Sequence, residues 1–264
     1  FSFISSNSLE LNKNLIMDMS RTYGYYLGQT YALDTIEKKY PSLKNQVFLA
    51  KNEFDLKYSK SLKEIELDFS KNMTKEQWND YKLNLNNQLK KQLNYENLTE
   101  NEALNFIQEV KLRTTGNIES PVIETLLMFN SDYQKNPISE LNDKFFQRYN
   151  SKDNLKAKGV DFSMKIPKSW KSQEANRPNI VRKFISNNGY MIEDAFMELI
   201  MVGVYDLPLE INSLTQQDIN DICNDIPENA ILRDCKKTNL ENLPVIIQRM
   251  KMNLLKNTYD LYIY

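Results

Sequence analysis

The chain reads as an α+β protein, a helical, bundle-like front half followed by an antiparallel sheet covered by helices. Three observations predict this. Apolar residues recur every three or four positions through the first half, as on an amphipathic helix. From Val160 to Ile166 they alternate instead (Val160, Phe162, Met164, Ile166), as on a half-buried strand. Short apolar runs set off by turn residues such as Asn187-Asn188-Gly189 then continue to the end. With 264 residues the chain is long enough to bury sizeable cores. The divisions expected are a helical region over 1–132, a connection over 133–158 and an α+β domain over 159–264.

The elements follow in order. From about Ser8 to Tyr40, Leu11, Leu15, Met19, Tyr23, Tyr26 and Leu27 keep helical spacing, and Pro41 stops the helix or starts the next one. Between Ser42 and Asn72, Leu43, Val47, Ala50, Phe54, Tyr58, Leu62, Ile65 and Phe69 form one apolar stripe, with no proline or glycine for about eight turns. The spacing drifts from a strict heptad, which fits packing inside a bundle better than a coiled-coil seam. Thr74-Lys-Glu-Gln77 and Thr99-Glu-Asn-Glu102 are capping boxes for two more helices. The first carries Trp78, Tyr81, Leu85, Leu89 and Leu93; the second carries Ala103, Ile107 and Val110. Both threonines also complete N-glycosylation patterns, but capping explains them. Gly116 sits where a left-handed C-terminal cap belongs, and Ser120-Pro121 opens a short helix through Leu127.

Tyr133 to Lys158 is polar, and Phe145, Phe146 and Tyr149 within it fit a strand or a last helical turn. Strands are expected over Val160–Pro167, Asn179–Ser186, Ala195–Tyr205, Ala230–Lys237, Pro244–Leu255 and Tyr259–Tyr264. The third suits a central strand, with Gly203 at a bulge. Leu214–Cys223 reads as a helix capped by Ser213 or Thr215.

Composition excludes more than it assigns. There are 34 basic and 35 acidic residues and no histidine. The charge balance supplies no long-range attraction to nucleic acid or anionic lipid. Without histidine, Ser-His-Asp and Cys-His nucleophile pairs cannot be built, and two cysteines are too few for a zinc site. No metal or cofactor is expected, and chemistry by paired carboxylates or lysine survives. No run approaches the roughly 20 apolar residues of a membrane-spanning helix. The chain opens Phe1-Ser2-Phe3-Ile4 without an initiator methionine, and a cleaved signal peptide is one reading of that.

Four groups of residues stand out as candidate sites. Gly24 and Gly28 flatten one helix face among Tyr23, Tyr25, Tyr26 and Tyr31, a surface for an apolar ligand or a partner segment, or else a helix-packing face. Trp170 and Arg177 flank a loop and are residue types that dominate interface energetics, although a tryptophan there also serves to cover a sheet end. Cys223 and Cys235 fit a disulfide around a turn at Pro227, or two buried thiols. Carboxylates pair at Glu193/Asp194, Glu64/Glu66 and Asp218/Asp221, none more than 35 acidic residues would produce.

Lys156-Ala-Lys-Gly-Val-Asp-Phe-Ser-Met-Lys-Ile-Pro-Lys-Ser-Trp170, followed by Arg177-Pro-Asn-Ile-Val181, resembles the opening of the PsbP/Mog1-like domain. There a strand enters through an F-x-[IM]-x-[IV]-P-x-x-W-like motif. The upstream half, including Gly116-Asn-Ile-Glu-Ser-Pro-Val-Ile-Glu124, resembles exported bacterial proteins that join such a domain to a helical region. The resemblance implies an antiparallel sheet covered by helices, without catalytic residues, and a chain that stops before the final strand. The resulting expectation is a periplasmic or secreted envelope protein that binds a partner protein or a small apolar ligand, with no nucleic acid, membrane span or cofactor. The alternative is a carboxylate- or lysine-dependent hydrolase acting on envelope material.

Overall fold

A computed structural model describes residues 13–92, 97–186, 199–205, 215–240, 243–254 and 257–263. The front half is a set of packed helices. Helix α1 (Lys13–Lys39) and helix α2 (Lys44–Asn72) are joined by a 3₁₀ turn at Pro41–Leu43. Helices α3 (Lys75–Gln92), α4 (Glu100–Thr114) and α5 (Pro121–Met128) follow and pack around them. All eight apolar residues of the α2 stripe, Leu43 to Phe69, are buried in one continuous core. The stripe's larger aliphatic and phenyl side chains each contribute about 1.5–3 kcal/mol of transfer free energy. It faces inward, as bundle packing requires.

The helix ends close as their residue types demand. Thr74 and Gln77 exchange both capping bonds (2.9 and 3.2 Å), and Thr99 and Glu102 do the same (2.7 and 3.3 Å). After α4, the Gly116 N–H donates to Arg113 and the Asn117 N–H to Leu112, with Gly116 at φ +76°. That is a left-handed cap of the Schellman type. Ser120 holds the N-cap position of α5, but its side chain makes no capping bond.

The connecting stretch 133–158 is folded rather than extended. It contains most of helix α6 (Ser131–Lys135), helix α7 (Ile138–Asn142), strand β1 (Phe146–Asn150) and a 3₁₀ turn at Leu155–Ala157. Phe145 closes the helical core, and Phe146 begins the strand. Strand β1 pairs antiparallel with β2 (Ser163–Pro167), Phe146 opposite Pro167. The strand therefore starts three residues later than the alternation at Val160 suggests. The Ser151 N–H donates to the Phe162 carbonyl, and the Ser151 hydroxyl bonds Val160 and Phe162, which holds 160–162 in a loop.

Strands β3 (Lys171–Gln173), β4 (Ile180–Ile185) and β5 (Leu199–Gly203) form a second antiparallel sheet in that order. Among the described residues β5 pairs with β4 alone, and β4 takes the central place that the bulk of β5 suggests for β5. The bulge near Gly203 is real but belongs to β4, where Val181 is the extra residue between Ile180 and Arg182. Ile166, Trp170 and Phe184, with Tyr149, Met164, Ile200 and Val202 against them, join these two sheets in one small core.

Helix α8 (Gln216–Asn224) is capped by Thr215 through a Thr215–Asp218 box. A meander follows, β6 (Ala230–Leu240), β7 (Leu243–Leu254) and β8 (Asn257–Ile263); Ile219 of α8 and Met250 of β7 are buried, and Gln248 Nε2 of β7 donates to the Ile222 carbonyl of α8. The fold is α+β, with the described strands divided among three small antiparallel sheets. The Asn187-Asn188-Gly189 turn, the Glu193/Asp194 pair and residues 195–198 lie outside the described residues.

Gly116 supplies a stability test of the junction between the halves. A Cβ at this position would sit 2.9 Å from the Phe145 ring, and φ is already +76°. Gly116→Ala should cost at least about 2 kcal/mol, conformational strain plus displacement of a packed ring. Gly159→Ala, at φ +82° with open space around it, should cost only about 1 kcal/mol. Urea denaturation of the two variants measures the difference, and equal losses would remove Phe145 as the cause.

Candidate functional site

On the tyrosine face of α1, Tyr23 is buried and Tyr25, Tyr26 and Tyr31 are half-buried. Tyr23 is 3% exposed, and its hydroxyl donates to Glu66 on α2 at 2.8 Å. Its ring lies 5.5 Å from Trp78 and 6.4 Å from Phe69. Burial, then the Glu66 carboxylate, hold this phenol well above its usual pKa, so it stays neutral. Tyr26 is half-buried and stacks on Phe54 at 6.1 Å. At Gly24 an added Cβ would meet Leu85 of α3 at 3.6 Å. Gly24 thus lies against another helix, and of the two tyrosines Tyr23 is enclosed in the core while Tyr26 stays half-buried.

Trp170 is also committed inward. It is 7% exposed, packs in the core with Ile166 and Phe184, and its carbonyl accepts from Gln147 Nε2 at 2.6 Å. Arg177 is exposed on the loop before β4, its carbonyl capping a turn at Ile180. A buried ring and a surface guanidinium do not make a shared contact patch. Cys223 and Cys235 are bonded as a disulfide that fixes the last turn of α8 to β6, around a turn in which the Ala230 N–H donates to the Pro227 carbonyl.

The carboxylate pairs separate in the same way. Glu66 is held by Tyr23, whereas Glu64 points outward. Asp218 is occupied by the Thr215 hydroxyl and N–H (2.6 and 2.7 Å), and these bonds hold its carboxyl below the ordinary range. Asp221 accepts from Gln217 at 2.8 Å. Among the described residues no three His, Cys, Asp or Glu side chains converge as a metal site would require.

One buried acid had no signal in the sequence. Glu140 on α7 is 1% exposed, and its two oxygens accept from the Ser169 N–H (2.7 Å) and hydroxyl (2.6 Å) in the turn after β2. Burial raises its carboxyl pKa, against the lowering effect of the bonds from Ser169 and Lys168. The group clamps the Pro167–Trp170 turn onto the helical half. Nearby, Tyr133 donates to Asp143, and Lys57 reaches both Asp143 (3.2 Å) and the face of Phe145 (4.6 Å). Both acids serve the junction between the halves.

Two surface features remain. An open depression of about 290 Å³ lies where the end of α1 meets α4, lined by Ile36, Leu98, Glu102, Asn105, Phe106 and Glu109, and Glu102 is already used in its cap. The other is the outer side of α2, where Phe48, Leu49, Leu56 and Leu67 are exposed, Leu56 by 87%. At about 100° per residue, Leu49, Leu56 and Leu67 fall within about 20° of one bearing, opposite the buried stripe. A single exposed leucine is ordinary, but three in line on one helix form a contact row. The chain matches no protein-family model, and no curated protein or solved structure is found to be similar to it.

Glu140 predicts a pH signature. The folded protein holds this proton to higher pH than the unfolded chain does, because burial raises the folded pKa. Its contribution to stability is therefore greatest below the unfolded value and declines as pH rises from there through the raised folded value. Glu140→Gln keeps the shape and cannot ionise. Urea titrations from about pH 4 to about pH 8 should show the variant gaining on the wild type as pH rises. A stability difference that stays constant over that range would contradict it.

Proposed function

We propose that this is an exported, non-catalytic envelope protein that works by surface contact, with the outer face of α2 as its binding surface. The leucine row at Leu49, Leu56 and Leu67 is the observation that carries the reading. Small-molecule sites are concave and enclose their ligands. A convex helix face does neither, so it favours a protein partner over a small apolar ligand. The Cys223–Cys235 disulfide supports an oxidising compartment, periplasmic or secreted, because such bonds are rare where thiols are kept reduced. The resemblance of Lys156–Trp170 to the PsbP/Mog1-like opening supports the same class of protein.

Two measurements test the proposal. A photo-crosslinking residue at position 56 in cells should give a discrete protein adduct, and the same residue at Leu155, 95% exposed on the 3₁₀ turn before β2, should not give that adduct. No adduct at position 56 would overturn the binding surface. In intact cells, Cys223 and Cys235 should resist alkylation until a reductant is added, and ready labelling without one would overturn the exported location.

A further inference from the structure

Resting on that reading, we infer that the partner of α2 is a second copy of this chain, docked antiparallel along the leucine row. The argument is self-complementarity. A symmetric dimer needs one surface that matches itself when turned by two-fold rotation. Place the rotation axis beside Lys57, perpendicular to α2. At a rise of about 1.5 Å per residue, Leu56 of each copy then comes within about 3 Å, along the axis, of Leu56 of the other. Leu49 comes within about 3 Å of Leu67 of the other copy, and vice versa, so the whole row is paired.

The charges beside the row agree with this register. Glu53 and Lys60 lie on the same side of it, and both are exposed. Antiparallel docking brings Glu53 within about 1.5 Å, along the axis, of Lys60 of the other copy, twice by symmetry. On the opposite side of the row Asn52 meets Lys63. A parallel two-fold would instead face Glu53 with Asn52 of the other copy and bring Lys60 towards Lys63, so the opposite charges lose their pairing and like charges approach, which repulsion opposes. Lys60 already pairs with Asp132 at 2.9 Å on its own chain, with both side chains more than half exposed, so the ammonium is held at the surface where a second carboxylate can reach it. The buried stripe of α2 is occupied within its own chain, so the seam uses the opposite face of the same helix.

The test is the solution mass of the full chain by sedimentation equilibrium. A concentration-dependent dimer is expected. Leu56→Glu, at a side chain the fold does not bury, should weaken dimerisation at least tenfold with unchanged circular dichroism, and Leu155→Glu should leave it unchanged. Glu53→Lys and Lys60→Glu should each weaken it, and the double variant should recover most of the loss, since the pair is restored across the seam. A monomer mass at every concentration up to about 0.5 mM overturns the inference, as does a dimer indifferent to Leu56→Glu or a double variant no tighter than its parents. If position 56 still cross-links to a different protein while the chain sediments as a monomer, the binding surface stands and the second copy does not. Loss of all adducts at position 56 removes the surface itself.

Discussion

Phe145 is buried from two directions at once. Its ring closes the helical core, edge-on to Tyr58 at 6.5 Å and against the backbone at Gly116, while its carbonyl accepts from the Lys168 N–H beside the β1–β2 pair. Removing such a ring costs about 3–5 kcal/mol in general, but here it also sets where the first strand can begin. With Phe145 fixed, Phe146 must start β1, β2 must return alongside it, and the Pro167–Trp170 turn must arrive above α7. Glu140 meets that turn with both carboxylate oxygens. Lys171 then reaches Glu124 of α5 at 3.3 Å. Two halves with different periodicities are therefore joined by a short, tightly bonded hinge region instead of a loose linker.

Several polar groups inside the molecule fix this geometry. An unbonded carboxylate or phenol in a core costs several kcal/mol, whereas a bonded one fixes the direction of its neighbours. Tyr23–Glu66 sets the separation of α1 and α2, and Tyr133–Asp143–Lys57 sets α6 against α2. Asn154 Nδ2 bonds both the Tyr149 hydroxyl and the Val181 carbonyl at 3.1 Å, tying the loop after β1 to β4. Groups engaged in this way hold shape. The surface proposed for a partner is apolar and sits on the outer side of α2.

That helix divides its two sides sharply. The inward stripe is continuous from Leu43 to Phe69, and its back carries Leu49, Leu56 and Leu67 among charged neighbours. A helix facing only a core and water would carry polar residues on that back. The disulfide at the other end of the chain performs a separate task, holding α8 on the β6 strand of the meander. Closing a loop of about a dozen residues stabilises such a unit by about 3 kcal/mol through the unfolded chain, comparable with a well-buried side chain.

What the sequence determined by itself is local. Helical spacing gave α2, threonine-led boxes gave the starts of α3 and α4, and Gly116 marked the end of α4, because caps and periodicity are decided within one or two turns of chain; for α8 the cap stayed open between Ser213 and Thr215. The strands β2, β4, β5 and β6–β8 were legible as strands for the same reason, whereas the β1 segment fitted a strand or a helical turn equally. Their distribution into three sheets, the central place of β4 and the inward turn of Trp170 were decided by pairings between residues distant in the chain, which no local pattern encodes. Tyr23 and Trp170 illustrate the limit, since an aromatic residue has the same local signature whether it faces a partner or the core. Glu140 illustrates the opposite case, an unremarkable acid in sequence that became buried only because the tertiary fold brought Ser169 to it.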